Sequence, residues 1–184
     1  MNIEAFSLVE FHDIDIFETI MYNNNIGVPR LEKNMIITFV GHSSISNHND
    51  VYQKIKQTII ENTSNDEKTS FYCGGYGDFD NLCAKACKSL KEDELHCEVI
   101  FITPYITESQ QEKIKNMLDS KIYDSSIYPP LESVPPKFAI SKRNEWMINE
   151  SDLVVAYVKH TNGGAYKALE FARRKKKRII NLAE

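Results

Sequence analysis

Arg143 and Glu170 bracket a glycine pair, Gly163-Gly164, and this grouping carries the strongest chemical signal in the chain. The glycines stand between an apolar run, Leu153 to Val158, and a helical pattern. Such a turn lets backbone N–H groups approach an anionic or sugar ligand at a helix end that already favours negative charge. Arg143, with Asn144 beside it, opens the unit, and its guanidinium suits a phosphate. Glu170 suits a sugar, since a carboxylate near an anomeric carbon acts as a nucleophile or stabilises an oxocarbenium-like transition state. Asn162, Tyr166 and Lys167 flank the turn and join the candidate ligand contacts. The plain alternative is a solvated arginine and a salt-bridged helical glutamate.

Three further segments have suitable residue types. Gly41-His42-Ser43-Ser44 follows an apolar run and offers an imidazole and two hydroxyls to a phosphate or sugar, although serine-rich turns often only cap helices. Gly74-Gly75-Tyr76-Gly77-Asp78-Phe79-Asp80 concentrates three of the chain's seven glycines, and glycine is entropically costly unless backbone room or positive φ is needed. Asp78 and Asp80 are candidate binders of ribose hydroxyls; the simpler role for Asp80 is a helix cap. The proline-rich stretch with Tyr123, Asp124, Tyr128 and Lys137 places aromatic rings on a stiff loop, where they can stack on a base or merely pin the loop. Cys73, Cys83, Cys87 and Cys97 lack zinc-knuckle spacing. Cys83 and Cys87 stand at helical i,i+4 spacing among apolar residues, so buried free thiols are expected and no metal or other cofactor is.

The elements that must position these residues alternate. Strands are predicted at Met35 to Gly41, Thr69 to Cys73, Glu98 to Thr103, Leu153 to Val158 and Arg178 to Leu182. Helices are predicted at Asp50 to Asn62, Asp80 to Lys91, Glu108 to Ser120, Ser141 to Asn149 and Gly164 to Lys175. Tyr123 to Lys137 carries two Pro-Pro pairs and reads as a loop. This order predicts a three-layer α/β Rossmann-like fold with a mainly parallel sheet of five strands or slightly more, and ligands beyond the strands' carboxyl ends. Residues 1–34 differ in texture and read as an appendage to the domain of residues 35–184; packing on the domain, self-association and partial disorder are all open to it.

Composition bounds the partners. The chain is 42% hydrophobic and 26% charged, which fits one globular domain with a sizeable core. It contains no bilayer-spanning apolar run and no signal-peptide pattern at its start, so a cytoplasmic protein without a membrane partner is expected. A net charge of -4 and a pI near 5.8 argue against nucleic acid and favour small molecules. The basic run Arg173 to Arg178 complements a helix C-terminus.

The ordered set G-H-S-S-I, F-Y-C-G-G-Y-G-D-F-D, I-Y-P-P with P-P-K-F-A-I-S-K-R-N-E-W-M, and S-D-L-V-V-A-Y-V with N-G-G-A-Y-K-A-L-E-F-A resembles the Rossmann-like SLOG superfamily. The likeness covers roughly residues 35–182 and is nearest to the small single-domain members of Firmicutes and their phages. It implies a nucleotide or nucleotide-derived ligand, with a homo-oligomer as one expectation. In the related LOG phosphoribohydrolases, the motif P-G-G-x-G-T-x-x-E falls on Asn162 to Glu170, which implies catalytic roles for Glu170 and, upstream, Arg143. This chain has Tyr166-Lys167 where that family has Gly-Thr. Nucleoside deoxyribosyltransferases are similar at the same strand and turn, with Asp152 and Glu170 as matching acids. Other SLOG domains sense nucleotide-derived signals, often in phage defence. The altered turn favours a sensor or sequestering protein; Arg143 and Glu170 favour an N-glycosidic hydrolase or transferase.

Overall fold

Met35–Gly41 is apolar along nearly its whole length, as a strand covered on both faces requires, and it forms the central strand β1. The computed structural model describes residues 34–183. After β1 come α1 (His48–Asn62), β2 (Thr69–Cys73), α2 (Asp78–Glu92), β3 (Cys97–Ile102) and α3 (Glu108–Asp119). The chain continues through β4 (Ser125–Ile127), α4 (Pro136–Glu150), β5 (Leu153–Tyr157), α5 (Gly163–Arg174) and β6 (Arg178–Asn181). The six strands lie in the order β4-β3-β2-β1-β5-β6, and every neighbouring pair is parallel.

Alternation along β1 assigns the two faces of the sheet. Ile37 and Phe39 enter one core cluster with Val51, Ile55 and Ile59 of α1 and with Phe79, Cys83 and Cys87 of α2. Val40 enters another with Ile148 of α4 and Ala168, Leu169 and Ala172 of α5. A third set, Tyr72, Ile100, Ile102 and Met147, seats α4 on β2 and β3, and the Tyr72 and Trp146 rings stack at 5.7 Å. The three expected layers are present, each helix contributing the stripe that its i,i+4 spacing brings to one side.

The sheet has six strands, against the five predicted individually. The additional one, β4, lies inside the proline-rich stretch. It has three residues, Ser-Ser-Ile, too short and too polar for a periodic signal, and is held by pairing Ile102 with Ile127. The second Pro-Pro pair starts a helix: Pro136 stands in the first turn of α4, where a missing N–H costs nothing. Asn34 bonds Ser70 through its side-chain amide at 2.9 Å; the rest of the expected appendage falls outside the described residues. Among those described, no helix is long and apolar enough to cross a membrane.

Candidate functional site at the switch point of the sheet

Chain order reverses direction at β1. Its crossover leads to β2 on one side, whereas β5 and β6 lie on the other. The loops leaving β1 and β5 therefore part, and a crevice opens between them at the carboxyl ends of the strands. It holds a cleft of about 390 Å³. Gly41, His42 and Ser43 approach it from β1, and Gly74, Tyr76 and Asp80 from β2. Helix α4 adds Ile140, Arg143, Asn144 and Met147, and the segment after β5 adds His160 and Asn162 to Ala165.

The wall at α5 is electropositive by construction. Asn162 is the N-cap residue and makes no side-chain capping bond, so the first amides of the helix lack an acceptor from its cap. Gly163 has φ +81, and a Cβ on Gly163 or Gly164 would meet nothing within 4 Å. The helix therefore presents unobstructed main chain to the cleft, at the end where its dipole attracts an anion.

The opposite wall is built around a buried arginine. Arg143 lies on the Ala139, Arg143, Met147 stripe of α4 and is 1% exposed. Its Nη1 donates to the carbonyls of Gly74 and Ile102, both at 2.7 Å, and its Nε has no partner. Burial lowers its pKa, and Asp80 opposes that shift. Across Gly74, a Cβ would come within 2.7 Å of both Arg143 Nη1 and Asp80 Oδ2. Asp80 also accepts the Tyr76 N–H at 2.9 Å. Burial raises its carboxyl to about 6, against the pull of that N–H and of Arg143.

His42 joins the two separated loops. Its Nε2 accepts the N–H of Lys159 at 2.9 Å and lies 3.4 Å from that of His160, so the ring is neutral with its proton on Nδ1. Burial first, and then neighbouring His160 and Lys159, lower its pKa. The His42 and His160 rings face each other at 5.1 Å. His160 was not singled out from the sequence, although it lies beyond the carboxyl end of β5, where the same rule directs attention.

Several predicted contacts are placed elsewhere. Ser44 is exposed beside the cleft and does not line it. Asp78 organises the loops: it accepts the Ile45 N–H at 3.0 Å, and its own N–H donates to Ser43 O at 2.9 Å. Gly77, at φ +96, lets these segments meet, since a Cβ would stand 2.6 Å from Ser43 Cα. Gly75 abuts the Phe101 ring. Tyr166 packs against the α4–α5 core cluster, and Lys167 is exposed. Glu170 lies further along α5, outside the cleft lining, paired with Arg173 at 2.8 Å. Asp152 lies at the opposite end of the sheet, where its carboxylate accepts the Ile36 N–H at 2.8 Å.

The proline-rich stretch also departs from expectation. Tyr123 is buried against Phe101 in the core. Asp124 accepts the Val99 N–H at 2.8 Å, and Tyr128 does not reach the cleft. Among the described residues, Tyr76 is the tyrosine that does, with Phe39 and the two imidazoles also in the lining. The four cysteines are buried free thiols, and burial pushes those of Cys83 and Cys87 well up.

No protein-family model matches this sequence, and no curated protein matches it at a significant level. Solved structures do. DNA processing protein A from Helicobacter pylori, a structure described for its single-stranded DNA binding mode, is similar at 14% identity and a TM-score of 0.52. The match covers 79% of this chain and 63% of that one. DNA processing protein A from Streptococcus pneumoniae is similar at 16% identity and a TM-score of 0.54, covering 80% of this chain and 50% of that one. The molybdenum cofactor carrier protein from Chlamydomonas reinhardtii is similar at 15% identity and a TM-score of 0.50, covering 82% and 78%. The fold is Rossmann-like.

The Rossmann-like fold expected from the order of elements is present, and the chain spans between half and two thirds of the two DNA processing proteins it resembles. One expectation is overturned. The acidic balance argues against nucleic acid, yet a protein sharing this fold is described by its binding of single-stranded DNA. Net charge sums over the whole surface, whereas a strand contacts one local face, so charge alone does not exclude that partner.

Proposed function

We propose that this protein binds a nucleotide or nucleotide-derived small molecule in the switch-point cleft, as a SLOG-type sensor or sequestering protein in signalling or phage defence. The observation that carries this reading is the uncapped N-terminus of α5, open at Gly163 and Gly164 and facing a cleft of about 390 Å³. A phosphate there meets free amides and a favourable dipole. Ser43 and Asn162 supply neutral hydrogen-bonding groups, and Asp80 is the one acidic residue among the described residues lining the cleft. It takes the position in which a sugar hydroxyl finds an acceptor.

The N-glycosidic reading assigns the chemistry to Glu170. The ion pair with Arg173 and the place of Glu170 outside the lining favour binding over that reaction. Mass spectrometry of small molecules released from the purified full chain is the direct test. Calorimetry then compares nucleoside monophosphates, ADP-ribose, NAD and a short single-stranded oligonucleotide. Saturable binding of a nucleotide without release of free base supports the reading. Base release that is lost in Glu170→Gln supports the hydrolase instead, and tight binding of the oligonucleotide alone assigns the cleft to a strand.

A further inference from the structure

Tyr76 is unusual among the cleft residues because it is both held and open. It lies between Gly75 at φ +70 and Gly77 at φ +96, and its backbone N–H is fixed to the Asp80 carboxylate at 2.9 Å. The Arg143 guanidinium carbon lies over its ring, 5.3 Å from the centroid, and that guanidinium is itself immobilised by the Gly74 and Ile102 carbonyls. One face of the ring therefore rests on a buried cation. The residue nevertheless remains 40% exposed. A large aromatic side chain left this open, in a cleft and on a rigid base, has spent little conformational freedom on burial and keeps a flat apolar face for a partner.

The opposite wall, at Gly163 and Gly164, offers main chain to an anion, and the His160 ring beside it already lies against His42 at 5.1 Å. The two walls thus differ in chemistry: a π-face and a carboxylate on one side, open amides on the other. A sugar phosphate uses the amides and the Asp80 carboxylate but leaves the π-face uncovered. A molecule that covers that face as well has a planar aromatic group at one end and a phosphate at the other. We propose that Tyr76 is the stacking face for the ligand's aromatic ring, so that the cleft selects nucleotides that retain their base over sugar phosphates. This rests on the nucleotide reading of the same cleft and specifies which part of the ligand gives the affinity.

The test uses the full chain, its Tyr76→Ala and Tyr76→Phe variants, and two sets of probes. One set is AMP, GMP, CMP and UMP; the other is ribose 5-phosphate and inorganic phosphate. Circular dichroism checks that the exposed substitution leaves the fold intact. Wild type is expected to bind at least one nucleotide more than tenfold tighter than ribose 5-phosphate. Tyr76→Ala should weaken that nucleotide about five- to 150-fold, the range typical of a base on an aromatic ring, and leave ribose 5-phosphate unchanged. Tyr76→Phe should bind like wild type, because it keeps the face.

Equal losses for nucleotide and sugar phosphate in Tyr76→Ala, or no loss for either, would overturn the stacking role while leaving the cleft as a phosphate site. Wild type that binds ribose 5-phosphate as tightly as every nucleotide overturns it too. If none of these probes binds wild type, the nucleotide reading itself fails, and the proposal with it. In the favourable case, base-proton NMR signals should move upfield on binding wild type and lose that shift in Tyr76→Ala.

Discussion

Arg143 shows how residue type can mislead when periodicity overrides it. A charged residue invites placement on a solvated face, but Ala139, Arg143 and Met147 are spaced as one buried stripe. The arginine stays buried by spending Nη1 on two carbonyls of strand ends. Arg143→Met is therefore expected to destabilise the protein by roughly 3 kcal/mol, since the carbonyls lose a charged donor in a dry site. Arg143→Lys should not rescue it, because the shorter side chain ends in a more strongly hydrated ammonium that is costlier to bury than a guanidinium. Urea denaturation measures both, and an unchanged midpoint for either would contradict the assignment. Asp80 gives a second prediction. Its carboxyl goes from 3.8 in the ordinary state to about 6 in the folded one. Between those values the native state holds more protons than the unfolded state, so this group's contribution to stability falls as pH rises through the window and is level above it. Comparing denaturation midpoints at pH 4.5 and pH 7 for wild type and Asp80→Asn isolates that contribution, and identical pH dependences would refute it.

At the scale of elements, the cleft wall at α5 makes a prediction independent of the ligand's identity. Gly164 has open space where a Cβ would go, so Gly164→Asp places a carboxylate at the positive end of the helix. It should raise stability by about 0.3–1 kcal/mol and abolish binding of any phosphorylated probe, because the charge occupies the anion's position. Thermal melts and calorimetry read the two effects together; enhanced phosphate binding would show that the anion lies elsewhere. The alternation of elements was legible in the sequence because buried parallel strands are short apolar runs and the helices carry i,i+4 stripes. Both glycine turns at the cleft were legible for a related reason: positive φ and close backbone approach select a residue type. What was not legible depended on partners distant in sequence. β4 exists through its pairing with β3, Asp78 accepts the N–H of Ile45, and Glu170 is paired with Arg173. No local pattern encodes which neighbour wins a carboxylate.

For the molecule as a whole, residues 34–183 belong to one compact unit by their own internal contacts. A chain beginning at Lys33 should unfold in one cooperative transition and keep the ligand affinity of the full chain. A chain that cannot fold would show that residues 1–32 belong to the core. The six parallel strands bring a further expectation. Pairing across β1 joins Phe39 to Val155 and Gly41 to Tyr157, while the other edge of β1 pairs with β2 much nearer in sequence. Long-range parallel pairing is slow to form because the loop must close before contacts compensate.

The reversal of strand order at β1 therefore sets a timetable for synthesis. As the chain leaves the ribosome, β1 to β4 and the helices α1 to α3 emerge together and have partners for one side of the sheet, while β1 presents a bare edge to the other. That edge is open to unwanted strand addition until Leu153 to Tyr157 arrives. The cleft has no second wall before then, so a nascent or prematurely terminated chain lacks the complete site. On the nucleotide reading, ligand retention would report that β5 and the start of α5 have docked, and ligand added during translation would act on that step alone.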